Sequence, residues 1–257
     1  MIRNSGSFFS AIPPVTKNLI IINFIVWLAM MLMPKSIGAN FTEYGGLHYI
    51  GASDFNIAQI ITYMFIHSTN GIAHLFFNMF TLFMFGITLE RVLGGKRFLF
   101  YYLSCGIGAA IIQEATWAMM INSFVSDNLE MTIANFAHAN RLSMEQAYQY
   151  ISASQLASLR LQIENALVTV GASGAIYGVL LAFGMIFPNR PLYLMFVPIP
   201  IKAKWMVIGY GLIELALGLG AAKDGVAHFA HLGGMIFGVL MILYWKHKGI
   251  INKNGYY

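Results

Sequence analysis

The chain has 257 residues, of which 58% are hydrophobic and only 10% charged, with a net charge of +5 and a mean hydropathy of +0.67. A soluble domain carries about 25% charged and roughly 45–50% apolar residues, so an ordinary soluble enzyme, a disordered chain and a nucleic-acid-binding domain are poor fits. The single cysteine, Cys105, excludes an intrachain disulfide and a cysteine-based metal site.

Covering a hydrocarbon core about 30 Å thick takes around 20 helical residues. Six stretches meet that need, and they predict an all-α, polytopic membrane protein of six spans. The first is Val15–Met33, interrupted mainly by Asn23; a signal peptide is the alternative reading, but Ser36-Ile37-Gly38 is a poor cleavage site and the motifs below want all six spans. The second is Ile72–Leu89 and the third Phe98–Met120. The fourth runs over Leu167–Phe187 and stops before Pro188-Asn189-Arg190-Pro191, the fifth covers Trp205–Gly220, and the sixth Val226–Trp245. No β-alternation is visible, and helices satisfy every backbone polar group within each span.

Lysine and arginine orient such a bundle. Arg3, Lys17, Arg91, Lys96, Arg97, Arg190, Lys202, Lys204, Lys246, Lys248 and Lys253, eleven of the fifteen basic residues, fall on the side that holds both termini. The expectation is an integral membrane protein, by default of a bacterial inner membrane since no organellar presequence is visible, with both termini cytoplasmic. Spans two, four and six then run from outside to inside.

Two segments lie outside the spans. Pro34–Gly71 is too mixed to cross and is expected at the interface. Asn122–Asn165 reads as an outer helical insertion within a single membrane domain, 1–257. Its helix starts are expected at Asp127-Asn128-Leu129-Glu130 and Ser143-Met144-Glu145-Gln146, each fitting a capping box. Apolar residues at Met144, Tyr148, Ile151 and at Leu156, Leu159, Ile163 follow helical spacing, which predicts a hairpin.

Polar groups inside spans are costly and so point to function. Span two opens with His74-Leu75-Phe76-Phe77-Asn78, placing His74 and Asn78 one turn apart on one face. Span four opens with Gly171-Ala172-Ser173-Gly174-Ala175-Ile176-Tyr177-Gly178, and span six with His228-Phe229-Ala230-His231-Leu232-Gly233-Gly234-Met235-Ile236-Phe237-Gly238. Counted from the expected outer ends, Asn78, Ser173 and His231 all lie roughly 8–9 Å deep at 1.5 Å per residue. A hydroxyl, an imidazole and an amide at one depth form the inventory for acyl transfer. The hydroxyl needs a base to take its proton, histidine suits that task, and the oxyanion needs donors. Asn78, His74 and the Ser173 backbone N–H can donate. With no acid in spans four or six, a Ser–His dyad is expected. Gly174-x-x-x-Gly178 and Gly234-x-x-x-Gly238 permit close helix approach.

These elements resemble the rhomboid family of intramembrane serine proteases: Gly171-Ala172-Ser173-Gly174 with Tyr177, Ala230-His231-Leu232-Gly233-Gly234 with Gly238, His74-x-x-x-Asn78, and Glu90-Arg91 followed by Gly94. The resemblance covers spans two to six. It implies a six-helix bundle in which Ser173 is the nucleophile, His231 the base, Asn78 and His74 the oxyanion donors, and Tyr177 a support packed on the His231 ring. It further implies membrane-protein substrates cut in or beside a transmembrane segment, with lateral entry beside span five, and no cofactor. The family's frequent Trp-Arg pair in the first outer loop is absent, so the resemblance does not account for how that loop is ordered.

Other readings stand beside these. His228 is a rival base, but the glycine spacing and the family pattern favour His231. His48 and His67 fit loop hydrogen bonding. A metal site from His67, His74, His228 and His231 lacks both a His-Glu-x-x-His pattern and clustered carboxylates. Glu214 in span five is either a buried acid or a packing residue. A non-proteolytic rhomboid-like protein that binds membrane clients is the alternative function, and a small transporter would more naturally show broken helices in two related halves. The oligomeric state is not legible.

Overall fold

A computed structural model of the chain describes residues 11–33, 41–193, 199–220 and 226–251. Ser36-Ile37-Gly38 and the charges at Arg3, Lys35, Lys223, Asp224 and Lys253 lie outside the described residues. The described chain is mostly helical. Its main helices are α1 (Pro14–Leu32), α2 (Ala73–Leu93), α3 (Gly95–Asn140), α4 (Met144–Tyr148), α5 (Ala153–Ala166), α6 (Ser173–Ile186), α7 (Ala203–Leu219) and α8 (His228–His247). Four of them, α1, α2, α3 and α8, are long and apolar enough to cross a membrane. With 14 and 17 residues, α6 and α7 are shorter.

Proline at its first position starts α1, where the missing N–H costs nothing. The next donors find a carboxylate from another helix: Glu90 of α2 accepts Val15 N–H at 2.9 Å, Thr16 N–H at 2.6 Å and the Thr16 hydroxyl at 2.8 Å. Orphan N–H groups at a helix start favour such an anion. Asn23, the polar break in this span, donates to the Leu19 carbonyl of its own helix at 2.8 Å. A π-helical stretch, Leu82–Gly86, interrupts α2, which ends at Gly94 with φ +79° before α3 begins directly.

The third helix departs from the sequence expectation. It does not close near Met120 but continues unbroken to Asn140, 46 residues or about 69 Å. Asp127 therefore sits inside a helix instead of capping a new one. Capping residues signal a start only where the preceding turn is non-helical, and nothing from Asn122 to Ser126 breaks the helix. Ser143 does cap α4 in a reciprocal box with Gln146, and Ser152 caps α5 in the same way with Gln155. The small apolar cluster there uses Ile133, Ala137 and Ala147 with Leu129 and Ile151, while Met144 and Tyr148 stay exposed.

Two short antiparallel ladders escaped the expectation of a purely helical chain. In one, β1 (Leu47–His48) pairs with β2 (Val168–Thr169), Leu47 opposite Thr169. In the other, β3 (Pro191–Tyr193) pairs with β4 (Pro200–Lys202). The first ladder ties the 41–71 loop to the segment before Ser173. That loop is ordered around Gln59, which is fully buried. Its carbonyl accepts His48 N–H at 3.2 Å, and its amide donates to the Asp54 carbonyl at 2.9 Å.

The centre of the molecule is α6. Eleven of its fourteen residues are buried, as a helix apolar on every side requires. It packs against α3, α7 and α8. Against α8 the approach is backbone to backbone: a Cβ at Gly234 would stand 1.9 Å from the Gly174 carbonyl oxygen, and one at Gly238 3.4 Å from the Gly178 Cα. Tyr101 of α3 locks the same seam by donating to the Gly178 carbonyl at 2.8 Å.

Candidate active site

Ser173 opens α6 instead of lying several residues inside it. The sequence expectation started this helix at Leu167, but β2 and Gly171 intervene. Gly171 has φ +120°, a conformation side chains rarely adopt, and its N–H donates to the Tyr63 carbonyl at 2.9 Å. The chain thus turns abruptly into the helix, and Ser173 gains the N-terminal position where backbone N–H groups lack intrahelical partners. Donors that could face an oxyanion are therefore built into the serine's own turn.

His231 lies in the first turn of α8, 7% exposed. Its Nε2 is 2.7 Å from Ser173 Oγ. The glycine seam makes this possible, because two helices that touch through backbone place short side chains within reach of each other. Tyr177, one turn past Ser173, stacks on the His231 ring with centroids 4.3 Å apart and planes 8° from parallel.

The structure places His74 and Asn78 at the same end of the bundle. A Cβ on Gly171 would lie 2.8 Å from His74 Nε2, so the imidazole borders the turn that leads into Ser173. The buried Asn78 donates through Nδ2 to the His74 carbonyl at 3.0 Å, and that nitrogen carries a second hydrogen. His67, fully buried in the loop, sits 5.0 Å from the His74 ring and accepts a long contact of 3.5 Å from Ala172 N–H. Burial first, and His74 second, push the His67 imidazole down to about 3.

Sequence reasoning left Glu214 as either a buried acid or a packing residue and did not bring it to the base. Glu214 of α7, 6% exposed, accepts a short hydrogen bond from the Tyr177 hydroxyl through Oε1. Its Oε2 lies 2.6 Å from His228 Nδ1 and 3.0 Å from His231 Nδ1, the latter off the line of a hydrogen bond. A search for an acid in the two helices that bear the serine and histidine could not find it, since the third helix delivers it. The available signal was a lone acid in the middle of an apolar span. His228, the rival base, thus contacts Glu214, and its ring stands edge-on to His231 at 6.4 Å.

Glu214, His228 and His231 bring their ligand atoms within 4.8 Å of one another, the arrangement a metal would need. Two ligand atoms sharing a tetrahedral zinc at about 2.0 Å lie about 3.3 Å apart. The 2.6 Å between Glu214 and His228 is instead a proton-sharing distance. Of the histidine quartet discounted above, the His67 and His74 rings lie 5.0 Å apart and the His228 and His231 rings 6.4 Å apart.

Chemically, a hydroxyl on an imidazole nitrogen beside a helix N-terminus can perform acyl transfer. Comparison with known proteins identifies relatives. The chain is 30% identical over 99 residues to the putative rhomboid protease YdcA of Bacillus subtilis, 38% of this chain and 48% of that one. It is 26% identical over 167 residues to the mitochondrial rhomboid protein 1 of Saccharomyces cerevisiae, 65% of this chain and 36% of that one. The chain therefore spans half or less of the length of these relatives. Residues 54–248 match the rhomboid domain, a stretch from the first loop to the end of α8, and on that match the chain belongs to the rhomboid family.

Proposed function

We propose that this protein is an intramembrane serine endopeptidase acting on transmembrane segments of other membrane proteins. The observation that carries the reading is the 2.7 Å separation of Ser173 Oγ and His231 Nε2. Ser173 Oγ attacks the scissile carbonyl carbon as its proton passes to His231 Nε2. The C–N bond then breaks and that proton leaves with the amine. Water attacks the acyl-enzyme, giving one proton to Nε2 and its hydroxyl to the acyl carbon; the bond from that carbon to Ser173 Oγ then breaks, and Nε2 returns the proton to Oγ. The oxyanion is received by Asn78, His74 and the Ser173 backbone N–H. Tyr177 keeps the base in plane.

In this reading all six helices α1, α2, α3, α6, α7 and α8 lie in the bilayer, and the end bearing Ser173 faces outward. The basic flanks support the opposite end, with both termini, facing the cytoplasm. The short α6, at 14 residues, sets Ser173 below the outer surface, where water can enter from one side. Segment 122–165 stands on the outer face beside that entry and guides or hinders substrates. Its deletion changes which substrates are cut; unchanged cleavage of every tested substrate would end that part of the reading.

A fluorophosphonate probe on the detergent-solubilised protein provides the main test. Ser173 should label, and Ser173→Ala and His231→Ala should each abolish labelling. A folded wild-type protein that stays unlabelled, under conditions that label an active rhomboid protease, would overturn the hydrolase in favour of client binding without cleavage.

A further inference from the structure

We propose that Glu214 is a positioning residue for His231, so that the site works as a Ser173–His231–Glu214 relay drawn from three helices rather than a dyad. This rests on the hydrolase reading above and deepens it.

A carboxylate inside an apolar bundle is costly unless it is paired, and among the described residues each partner of Glu214 touches the base. Tyr177 donates to Oε1 and stacks on one face of the His231 ring. His228 contacts Oε2 and meets the same ring edge-on. The third neighbour is His231 itself, whose Nδ1 is 3.0 Å from Oε2. That nitrogen is buried and, among the described residues, has no aligned hydrogen-bond partner, so the facing carboxylate decides where the ring's proton resides. Negative charge at Nδ1 keeps the N–H there and leaves the Nε2 lone pair pointed at Ser173 Oγ. When Nε2 accepts the serine proton, the Nδ1 proton stays in place and the new positive charge lies beside the carboxylate, as an acid does for the histidine of a serine-protease triad.

A purely structural role, anchoring α7 to α6 and α8, would use only Tyr177 and His228. The two roles separate by experiment. Fluorophosphonate labelling rates and thermal midpoints are measured on purified wild type, Glu214→Gln and Glu214→Asp. A relay predicts that Glu214→Gln keeps its midpoint within a few degrees and labels about 10²–10⁴-fold more slowly, by analogy with loss of a triad acid. Glu214→Asp should recover at least about tenfold of that loss. A folded Glu214→Gln labelled within about threefold of wild type overturns the relay while leaving the hydrolase standing. A wild type that never labels removes the hydrolase reading, and the relay with it. Should Glu214→Gln fail to fold, the wild type alone decides through the ¹⁵N shifts of His231, assigned by their loss in His231→Gln. A proton on Nδ1 supports the relay, and a proton on Nε2 overturns it.

Discussion

The seam between α6 and α8 and the segment from Arg141 to Ala166 are held in opposite ways. In the seam, geometry comes from missing atoms: Gly174, Gly178, Gly234 and Gly238 let backbone meet backbone, and 2.7 Å between Ser173 and His231 follows from that approach. In the segment, geometry comes from added polar atoms, two reciprocal capping boxes four residues long and an Arg160–Glu164 pair at 2.9 Å. The first arrangement is cooperative across helices and has no slack. The second is mostly local, tied to α3 by the small cluster of Ile133, Ala137 and Ala147, so a lost cap is felt first in its own turn.

The largest effect should follow from adding one methyl to the seam. In Gly234→Ala the new Cβ would lie 1.9 Å from the Gly174 carbonyl oxygen, and a backbone atom cannot swing away as a side chain can. The helices must separate, which costs about 3 kcal/mol, the upper end of the range for overpacked cores, and moves His231 off Ser173. We expect a clear drop in thermal midpoint in detergent and loss of fluorophosphonate labelling by at least about 10²-fold. A fully labelled Gly234→Ala protein would show that the seam does not set the site.

Next in size is the long-range cap on α1. Glu90→Ala strands two backbone donors and the Thr16 hydroxyl at a buried helix start. Leaving buried donors unpaired costs about 1–3 kcal/mol each, tempered here by water at an end of the helix. The midpoint should fall by several degrees while the labelling rate of the folded fraction stays within about twofold. Equal damage to labelling would mean that α1 is coupled to the site, against the view that the seam alone fixes it.

What could be read from the sequence divides along the same line. Apolar length and glycine and histidine spacings are properties of single helices, so the helices and the common depth of Ser173 and His231 were legible, whereas the roles of that pair and the packing of Tyr177 on His231 entered only with the resemblance to the rhomboid family. Helix starts were legible only where the chain before them is extended, as at Ser143, and misleading where a helix simply continues, as at Asp127. The start of α6 was misplaced by six residues because β2 and the positive φ at Gly171 are set by a strand some 120 positions earlier, at Leu47–His48. Glu214 was visible as a buried acid. Its target was not, because which face of α7 meets α8 depends on packing that no periodicity encodes. The cap on α1 was hidden for the same reason, since Glu90 lies on another helix.

A smaller effect tests the loop that leads into the site. His67 has its imidazole held down to about 3 by burial and by His74, whereas in an unfolded chain its value is about 6.5. Below about 6.5 the unfolded chain therefore binds a proton that the folded protein refuses, and stability falls as pH drops from there towards about 3. His67→Gln keeps an acceptor for Ala172 N–H but removes the titration. Its midpoint should vary less than that of wild type between pH 4 and 7, as followed by circular dichroism. Parallel curves for the two proteins would mean that His67 is not kept neutral by the fold.

The smallest effect belongs to the capped segment. Ser152→Ala removes the side chain that accepts Gln155 N–H at 3.3 Å and loosens the box that Gln155 closes at 2.8 Å. A cap of this kind is worth about 1 kcal/mol, and α5 has only one buried residue through which to pass the loss on, Glu164. Amide exchange should quicken in the first turn of α5 while the global midpoint moves by no more than about two degrees and Ser173 labels as before. If a single cap in this segment lowered the midpoint as far as a methyl group in the glycine seam, the two regions would be one cooperative unit. Locally closed turns that share few buried side chains with the bundle have no physical route to that outcome.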